Sequence, residues 1–457
     1  MKNANLKTIF PPILKNTSFY FFIFLIIFTF DRHHRYEAST NPNKYGPFES
    51  DVAEYYSFLP AIFYQNDSAS TLNFKNNKRT IGMAIMYSPA FLVGHIIATQ
   101  TGDIKDGYSS PYKWSIRWGS IIFCIGGLLF CRKSLLLFFK DEIVTISLAS
   151  IFFGTNLLYY TYSSGEMPHS YLFFLYSAFI FICLKLILNK KQKNLILIGL
   201  LGGIITLIRP TDILIILFPL FFKVHNFNEF KNRIKIFFSD LFVLSISILA
   251  FLLPLLLQMV LWKQYVGTFI YYSYANERFF FNDPQIINFL FSYRKGWLLY
   301  TPIMTISIVG ILLSKKQLND FFIFLIVFVP LNIYILSCWW DWSFGGSFGC
   351  RALIQSYAVL IFPFAAMISW FWQLGKKKKF LNEISKTGIT LLLFLLIKAN
   401  LIQTMQYKWL VIHWSGMNEI TYKYIFLRED LSAKELDYIR STPTPPDIEK
   451  MRNGERD

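Results

Sequence analysis

The chain has 457 residues, 54% hydrophobic, 19% aromatic and only 16% charged, with a mean hydropathy of +0.39 and a formal net charge of +17. This composition excludes an ordinary soluble domain, in which about 25% of residues are charged. Repeated apolar stretches of about 20 residues, parted by short lysine-rich breaks, describe a polytopic membrane protein, and the positive charge in those breaks belongs to topology, so no nucleic-acid partner is expected.

Residues 17–30 form the first expected span. No small-residue cleavage site follows Phe30, so the span is read as a retained anchor. Asp31-Arg-His-His-Arg35 closes it as an interfacial charged collar. His33 and His34 are adjacent, do not share a helix face and lack an i+4 partner, so they do not read as a metal pair.

A first large outer loop, 31–113, follows, and in it Glu49-Ser-Asp-Val-Ala-Glu-Tyr-Tyr-Ser-Phe-Leu-Pro60 sets two acids three positions apart. With 48–63 read as a helix, Phe48, Val52, Tyr55, Leu59 and Ile62 make one apolar stripe. Asp51 and Glu54 fall on another face, so a helix lying along the membrane surface would turn its acids toward a protein cavity. Asp-x-x-Glu is also a capping box, with Asp51 as N-cap and Glu54 reaching back, and both readings stand at this point.

The stretch 81–99 is long enough to cross but holds Gly82, Pro89, Gly94 and His95. Charge decides its reading. If it does not cross, one side of the membrane receives residues 1–16, 132–142, 185–194, 223–235, 315–320 and 375–386, with 21 Lys and Arg, against two in the short loops 163–169, 209–212 and 339–351. The positive-inside rule then gives about 11 crossings, a cytoplasmic N-terminus and an extracytoplasmic C-terminus. Residues 81–99 become a re-entrant or interfacial helix whose broken backbone is covered by protein.

The remaining spans are expected at 114–131, 143–162, 170–188, 236–262, 297–314, 321–338, 352–374 and 387–405, with 195–222 a tight hairpin of two short helices turning at Arg209-Pro-Thr-Asp212. The transmembrane domain thus covers 1–405, with a second large outer loop at 263–296 and an extracytoplasmic tail at 406–457. Residues 163–169 hold Glu166 and His169 at i, i+3 with Pro168 between them. An acid at membrane depth is a functional candidate, and pairing with Arg209 or Arg351 is its structural alternative.

Arg209, Arg294-Lys295-Gly296 and Arg351 all fall on the outer rim, where a cation has a topogenic cost and implies an anion to hold, carboxylate or phosphate. Arg351 ends Cys338-Trp-Trp-Asp-Trp-Ser-Phe-Gly-Gly-Ser-Phe-Gly-Cys-Arg351; its glycines allow close backbone approach to a ligand. Its tryptophans offer flat faces to sugar rings or sit in an interfacial belt. No phosphate-binding glycine loop and no dinucleotide fingerprint is present. The five cysteines lack metal-ligand spacing. Outer acids beside outer arginines, without nucleotide machinery, suit a lipid-phosphate sugar donor: guanidiniums hold the phosphate and a carboxylate takes the acceptor's proton.

In these residues the chain resembles the membrane glycosyltransferases of the GT-C fold, in particular the bacterial branch related to protein O-mannosyltransferases and the lipid A aminoarabinose transferase. Ser50-Asp-Val-Ala-Glu-Tyr-Tyr-Ser-Phe-Leu59 is similar to that family's first-loop acidic motif, with Val52 where a second adjacent acid would stand. Met167-Pro-His-Ser-Tyr171, Leu207-Ile-Arg-Pro-Thr211, Phe291-Ser-Tyr-Arg-Lys-Gly-Trp-Leu-Leu-Tyr-Thr-Pro302 and Gly345-Gly-Ser-Phe-Gly-Cys-Arg-Ala-Leu353 look like segments of related bacterial sequences, over roughly residues 15–400. The resemblance implies an all-α, GT-C type membrane protein with surface-lying helices in the first outer loop, an inner (plasma) membrane location and a periplasmic active site. It implies an inverting enzyme that moves a monosaccharide from a polyprenyl-phosphate donor to a lipid, glycan or protein acceptor. Asp51 is then the catalytic base, with Glu54, Glu166, His169, Arg209, Arg294, Lys295 and Arg351 as substrate-binding residues. No cofactor and no metal is expected; a divalent cation has no ligand cluster to support it. Two alternatives are a lipid-linked-substrate flippase and a surface-polysaccharide polymerase or ligase using polyprenyl-diphosphate donors.

Overall fold

The computed structural model describes residues 16–39, 51–64, 77–189 and 193–456, with backbone alone at 32–39 and at 189. All regular structure among them is helical, apart from one isolated antiparallel bridge between Phe279 and Trp339. In hydrocarbon, backbone groups must be satisfied within their own segment, and long apolar runs therefore become helices. The helices are α1 (Thr17–Ser39), α2 (Asp51–Tyr56), α3 (Phe58–Phe63), α4 (Gly82–Thr101), α5 (Ser110–Leu135), α6 (Asp141–Gly154), α7 (Tyr159–Tyr162), α8 (Pro168–Asn189) and α9 (Asn194–Ile208). A 3-10 turn, Pro210–Ile216, leads into α10 (Leu217–Phe221), α11 (Phe227–Phe237), α12 (Leu241–Tyr265), α13 (Ile286–Phe291), α14 (Trp297–Tyr300), α15 (Met304–Gln317) and α16 (Asn319–Ser337). A second 3-10 segment, Arg351–Ser356, opens α17 (Tyr357–Gln373); α18 (Lys379–Lys408), α19 (Glu419–Ile425), α20 (Ala433–Ser441) and α21 (Ile448–Asn453) complete the chain.

Among the described residues seven of these helices are long and apolar enough to cross a membrane: Gly82–Thr101, Ser110–Leu135, Pro168–Leu188, Leu241–Tyr265, Asn319–Ser337, Arg351–Gln373 and Lys379–Lys408. The chain is an all-α membrane protein.

Side-chain pairs fix the two ends of the bundle. At one end Asp141 receives Ser18, Thr17 and Arg132, Lys223 and His225 meet Asp320, and Phe138 packs on Phe321. The opposite end gathers Asp51, Arg79, Arg209 and Arg351. α5 and α8 run in the same direction, since Gly126 and Gly127 meet Phe174 and Phe173 while Cys131 meets Ser177. α4 runs against α5, with Gly94 on Tyr112 and Ala90 on Gly119. Gly199 and Gly203 bring α9 against the backbone of α12 at Ser247 and Phe251, the close approach that small residues permit between membrane helices.

Four expectations change. The span expected at 297–314 breaks after α14, where Thr301 leaves the helix (φ −136°, ψ 58°), and α15 begins at Met304. Residues 82–101 are one continuous helix, with Pro89 inside it, and not a broken element. The expected span 143–162 stops at Gly154 and resumes as α7, because Thr155 is extended (φ −129°, ψ 169°) and its hydroxyl bonds back to Ile151. The second arm of the 195–222 stretch starts as a 3-10 turn; Pro210 follows an extended Arg209 (φ −148°, ψ 104°), as a residue before proline prefers.

Candidate functional site

Helix α2 carries the first-loop acids. Val52, Tyr55 and Tyr56 are buried, so the six-residue helix is pinned by its apolar face on α4 while Asp51 and Glu54 stay in its first turn. Ile62 of the expected stripe is exposed instead. Phe48 lies outside the described residues.

Neither acid is spent on capping. Asp51 bridges two guanidiniums, its Oδ1 2.7 Å from Arg79 Nη2 and its Oδ2 3.3 Å from Arg351 Nη2. The Asp51 side chain is 32% exposed, against 18% and 17% for the two arginines. Glu54 Oε2 lies 3.2 Å from Arg79 Nε. Arg79 itself is flanked by the Tyr55 ring at 5.2 Å and the Tyr274 ring at 5.9 Å, and donates from Nη1 to the Tyr274 hydroxyl at 3.1 Å. Stacked, planar and doubly paired, it is a position that lysine could not fill.

The two acids are pushed apart. Burial alone would raise Asp51, but Arg79 and Arg351 outweigh it and hold the carboxyl below its ordinary value. Burial dominates at Glu54, which is raised despite Arg79, with Asp51 adding to the rise. Divergent neighbouring acids are a mark of acid–base sites.

Around this bridge stand further cations. Arg209 donates from Nη1 to the Ala352 carbonyl at 3.3 Å and lies 5.3 Å from the Phe344 ring. Arg294 lies 5.6 Å from the Trp342 ring. The Lys295 ammonium is buried, donates to the Ser347 carbonyl and lies 5.4 Å from the Tyr407 ring. Its pKa is lowered to about 7, by burial first and then by Arg351, with Arg294 adding and Asp341 opposing. That set of neighbours places Lys295, Arg294, Arg351 and Asp341 in one electrostatic neighbourhood.

His169, in the first turn of α8, is 3% exposed and lies within electrostatic reach of Arg351 and Arg209. Its ring packs edge-on against Tyr160 at 4.6 Å, and neither ring nitrogen has a hydrogen-bond partner among the described residues. A buried imidazole with both nitrogens idle carries the cost of an unmade hydrogen bond, a cost that a bound polar ligand removes.

Glu166 stands elsewhere. Its carboxylate meets Arg117 of α5 at 2.9 Å, neither Arg209 nor Arg351, and lines a separate cavity with Ser120, Thr404 and Lys408. The Gly345–Arg351 loop turns on its glycines. Gly345 and Gly349 have positive φ, and Gly346 packs on Trp414, so these glycines serve the turn and its packing. Trp340 and Trp342 are buried, under Arg452 and Arg294 respectively, and present no open face to a sugar. The tail buttresses this loop and its neighbour: Ser347 N donates to the Trp414 carbonyl, Arg452 pairs with Glu277 at 3.1 Å and Arg456 with Asp283 at 2.8 Å.

Arg79 and Asp341 were missed in the sequence. Arg79 carries the same signal as Arg209 and Arg351, a cation on the expected outer side, but it is hidden in a long loop where charge counting has little force. Among the described residues no group of three or more His, Cys, Asp or Glu side chains could hold a metal ion. No protein-family model matches the sequence, and no curated protein matches it.

Proposed function

We propose that this chain is a GT-C type membrane glycosyltransferase that moves a monosaccharide, with inversion, from a polyprenyl-phosphate donor to an acceptor hydroxyl. The observation that carries this reading is the carboxylate of Asp51 bridging Arg79 of the same outer loop and the remote Arg351. Lys295 lies in the electrostatic reach of Arg351 and Arg294, and His169, both of its ring nitrogens without a hydrogen-bond partner among the described residues, in that of Arg351 and Arg209.

In this reading the donor phosphodiester competes with Asp51 for Arg351 and Arg79. Once Arg351 turns to phosphate, the Asp51 carboxylate loses part of what suppresses its basicity. The acceptor oxygen attacks the anomeric carbon, its proton passes to Asp51, and the bond from that carbon to the phosphate oxygen breaks with its electron pair. Polyprenyl phosphate leaves, and the guanidiniums hold the charge it gains. His169 donates to a phosphate or sugar oxygen.

The lysine-rich end, by the positive-inside rule, is cytoplasmic, so Asp51 works on the extracytoplasmic side. Gly82 supports a count of about 11 crossings: a Cβ there would stand 2.8 Å from Ile208, so α4 starts where α9 ends and rises beyond it. In this reading α4 does not cross the layer that α9 crosses.

The test is the purified chain in proteoliposomes with a labelled polyprenyl-phosphate sugar and lipid or glycan acceptors. The expected product carries one added sugar of inverted anomeric configuration. Donor lipid scrambled between leaflets with no covalent product would point to a flippase, and a product ladder to a polymerase.

A further inference from the structure

The turn between α17 and α18, at the end of the bundle opposite Asp51, carries four consecutive lysines, Lys376 to Lys379. All four are exposed, and none pairs with an acid among the described residues; Glu383, the acid nearest in sequence, meets Lys386 at 3.2 Å. Other groups hold the turn. Asn382 Nδ2 donates to the carbonyls of Trp372 and Leu374 at 3.0 and 2.7 Å, Ser385 Oγ donates to that of Phe371 at 2.9 Å, and Gly375 reverses the chain at φ 71°. Those side-chain donors are committed, which leaves the lysine ammoniums to meet an anion.

From this turn a groove of about 450 Å³ runs between the end of α17 and the start of α18, within the roughly 300–1,000 Å³ of ligand sites. Phe371 and Leu374 line one side, and Leu381, Ile384, Gly388, Ile389 and Leu392, on one face of α18, line the other. From Leu381 to Leu392 the helix rises about 16 Å, close to half of a hydrocarbon core about 30 Å thick. Leu374, Leu381, Ile384 and Leu392 are exposed, so the groove opens sideways, where lipid stands.

Gly388 is a second, independent sign of an occupant. Glycine weakens a helix interior, and elsewhere in the bundle packing answers that cost: Gly199, Gly203 and Gly310 each meet the backbone of a neighbouring helix. At Gly388 an added Cβ would meet no described residue within 4 Å. Glycine there keeps the groove open and closes no helix contact.

We propose that this groove seats an acyl chain of an anionic phospholipid, with the lipid phosphate among the ammoniums of Lys376 to Lys379. A basic cluster beside a membrane helix attracts anionic headgroups, and the length of the groove fits a chain entering from the leaflet at the lysine-rich end. The site is independent of the sugar-transfer reading.

The test is native mass spectrometry of the full chain in detergent, titrated with phosphatidylglycerol and with phosphatidylcholine of the same acyl chains. The wild type should retain phosphatidylglycerol over phosphatidylcholine. Lys376→Gln, Lys377→Gln, Lys378→Gln and Lys379→Gln together should lower phosphatidylglycerol retention about tenfold or more, since each lysine near a headgroup contributes a several-fold factor. Gly388→Phe fills the groove and leaves every lysine in place. Phenylalanine is also the better helix former, so helix content and melting temperature should hold while phosphatidylglycerol retention falls about tenfold. Equal retention of the two lipids by the wild type, or undiminished phosphatidylglycerol retention in either variant, would overturn the assignment.

Discussion

Two ion clusters flank the 159–170 segment, and they differ in how their charges are matched. In the Arg117 cavity Glu166 meets one guanidinium at 2.9 Å. Across the segment Asp51 is shared between two guanidiniums at 2.7 and 3.3 Å, Arg79 is shared between two acids, and neither ring nitrogen of His169 has a hydrogen-bond partner among the described residues. The first arrangement sets one acid against one close guanidinium. The second leaves capacity in hand, as a site must if an anionic ligand is to take up donors without unfolding anything. Charge alone does not mark a catalytic centre in a membrane protein; unfilled hydrogen-bonding capacity beside charge is the more discriminating feature.

Substitutions can separate the two clusters. The largest effect is expected from Asp51→Asn, which should lower transfer by about 10²- to 10⁴-fold, the usual worth of a general base, while the protein folds. Turnover within a few-fold of wild type would remove Asp51 from the chemistry. Arg351→Lys comes next, with a donor KM raised about 10- to 100-fold through loss of a charged hydrogen bond. Arg294→Ala should raise it less, since that guanidinium also stacks on Trp342. An unchanged donor dependence in both would argue against a phosphate contact.

Lys295 supplies a pH signature. With a pKa of about 7 it is cationic below that value and neutral above it. Donor affinity should therefore fall several-fold as pH rises through 7, and Lys295→Arg should flatten the profile. Stability should move the other way. An unfolded lysine near 10.4 binds more protons than the folded one between about 7 and 10.4, so the folded state gains stability as pH rises through that window. Asp51 has the opposite form. Its folded value is depressed, so its contribution is present above the ordinary carboxylate range and is lost only as pH falls through the lowered value. Glu166→Gln should have the smallest effect on transfer, under about threefold, because its carboxylate serves Arg117.

Much of the frame was legible in the sequence. Apolar length and lysine bias gave the helices and the end at which Asp51, Arg209, Arg294 and Arg351 would gather, since an outer arginine must have a reason to be there. The pairings were less legible. Glu166 meets Arg117 because α5 and α8 run side by side in one direction, a packing choice that the period of either helix does not encode. Arg79 lies in a long loop that topology rules ignore. The continuity of α4 across Pro89 was hidden as well, because Gly82, Pro89 and Gly94 read as breaks when they serve close packing: Gly82 on Ile208 and Gly94 on Tyr112.

The central claim is that the Asp51 carboxylate and the donor phosphate use the same guanidiniums. Equilibrium binding of a polyprenyl-phosphate sugar to wild type and to Asp51→Asn tests it most directly. Removing the competing negative charge should leave donor affinity equal or tighter; clearly weaker binding by the variant would contradict it.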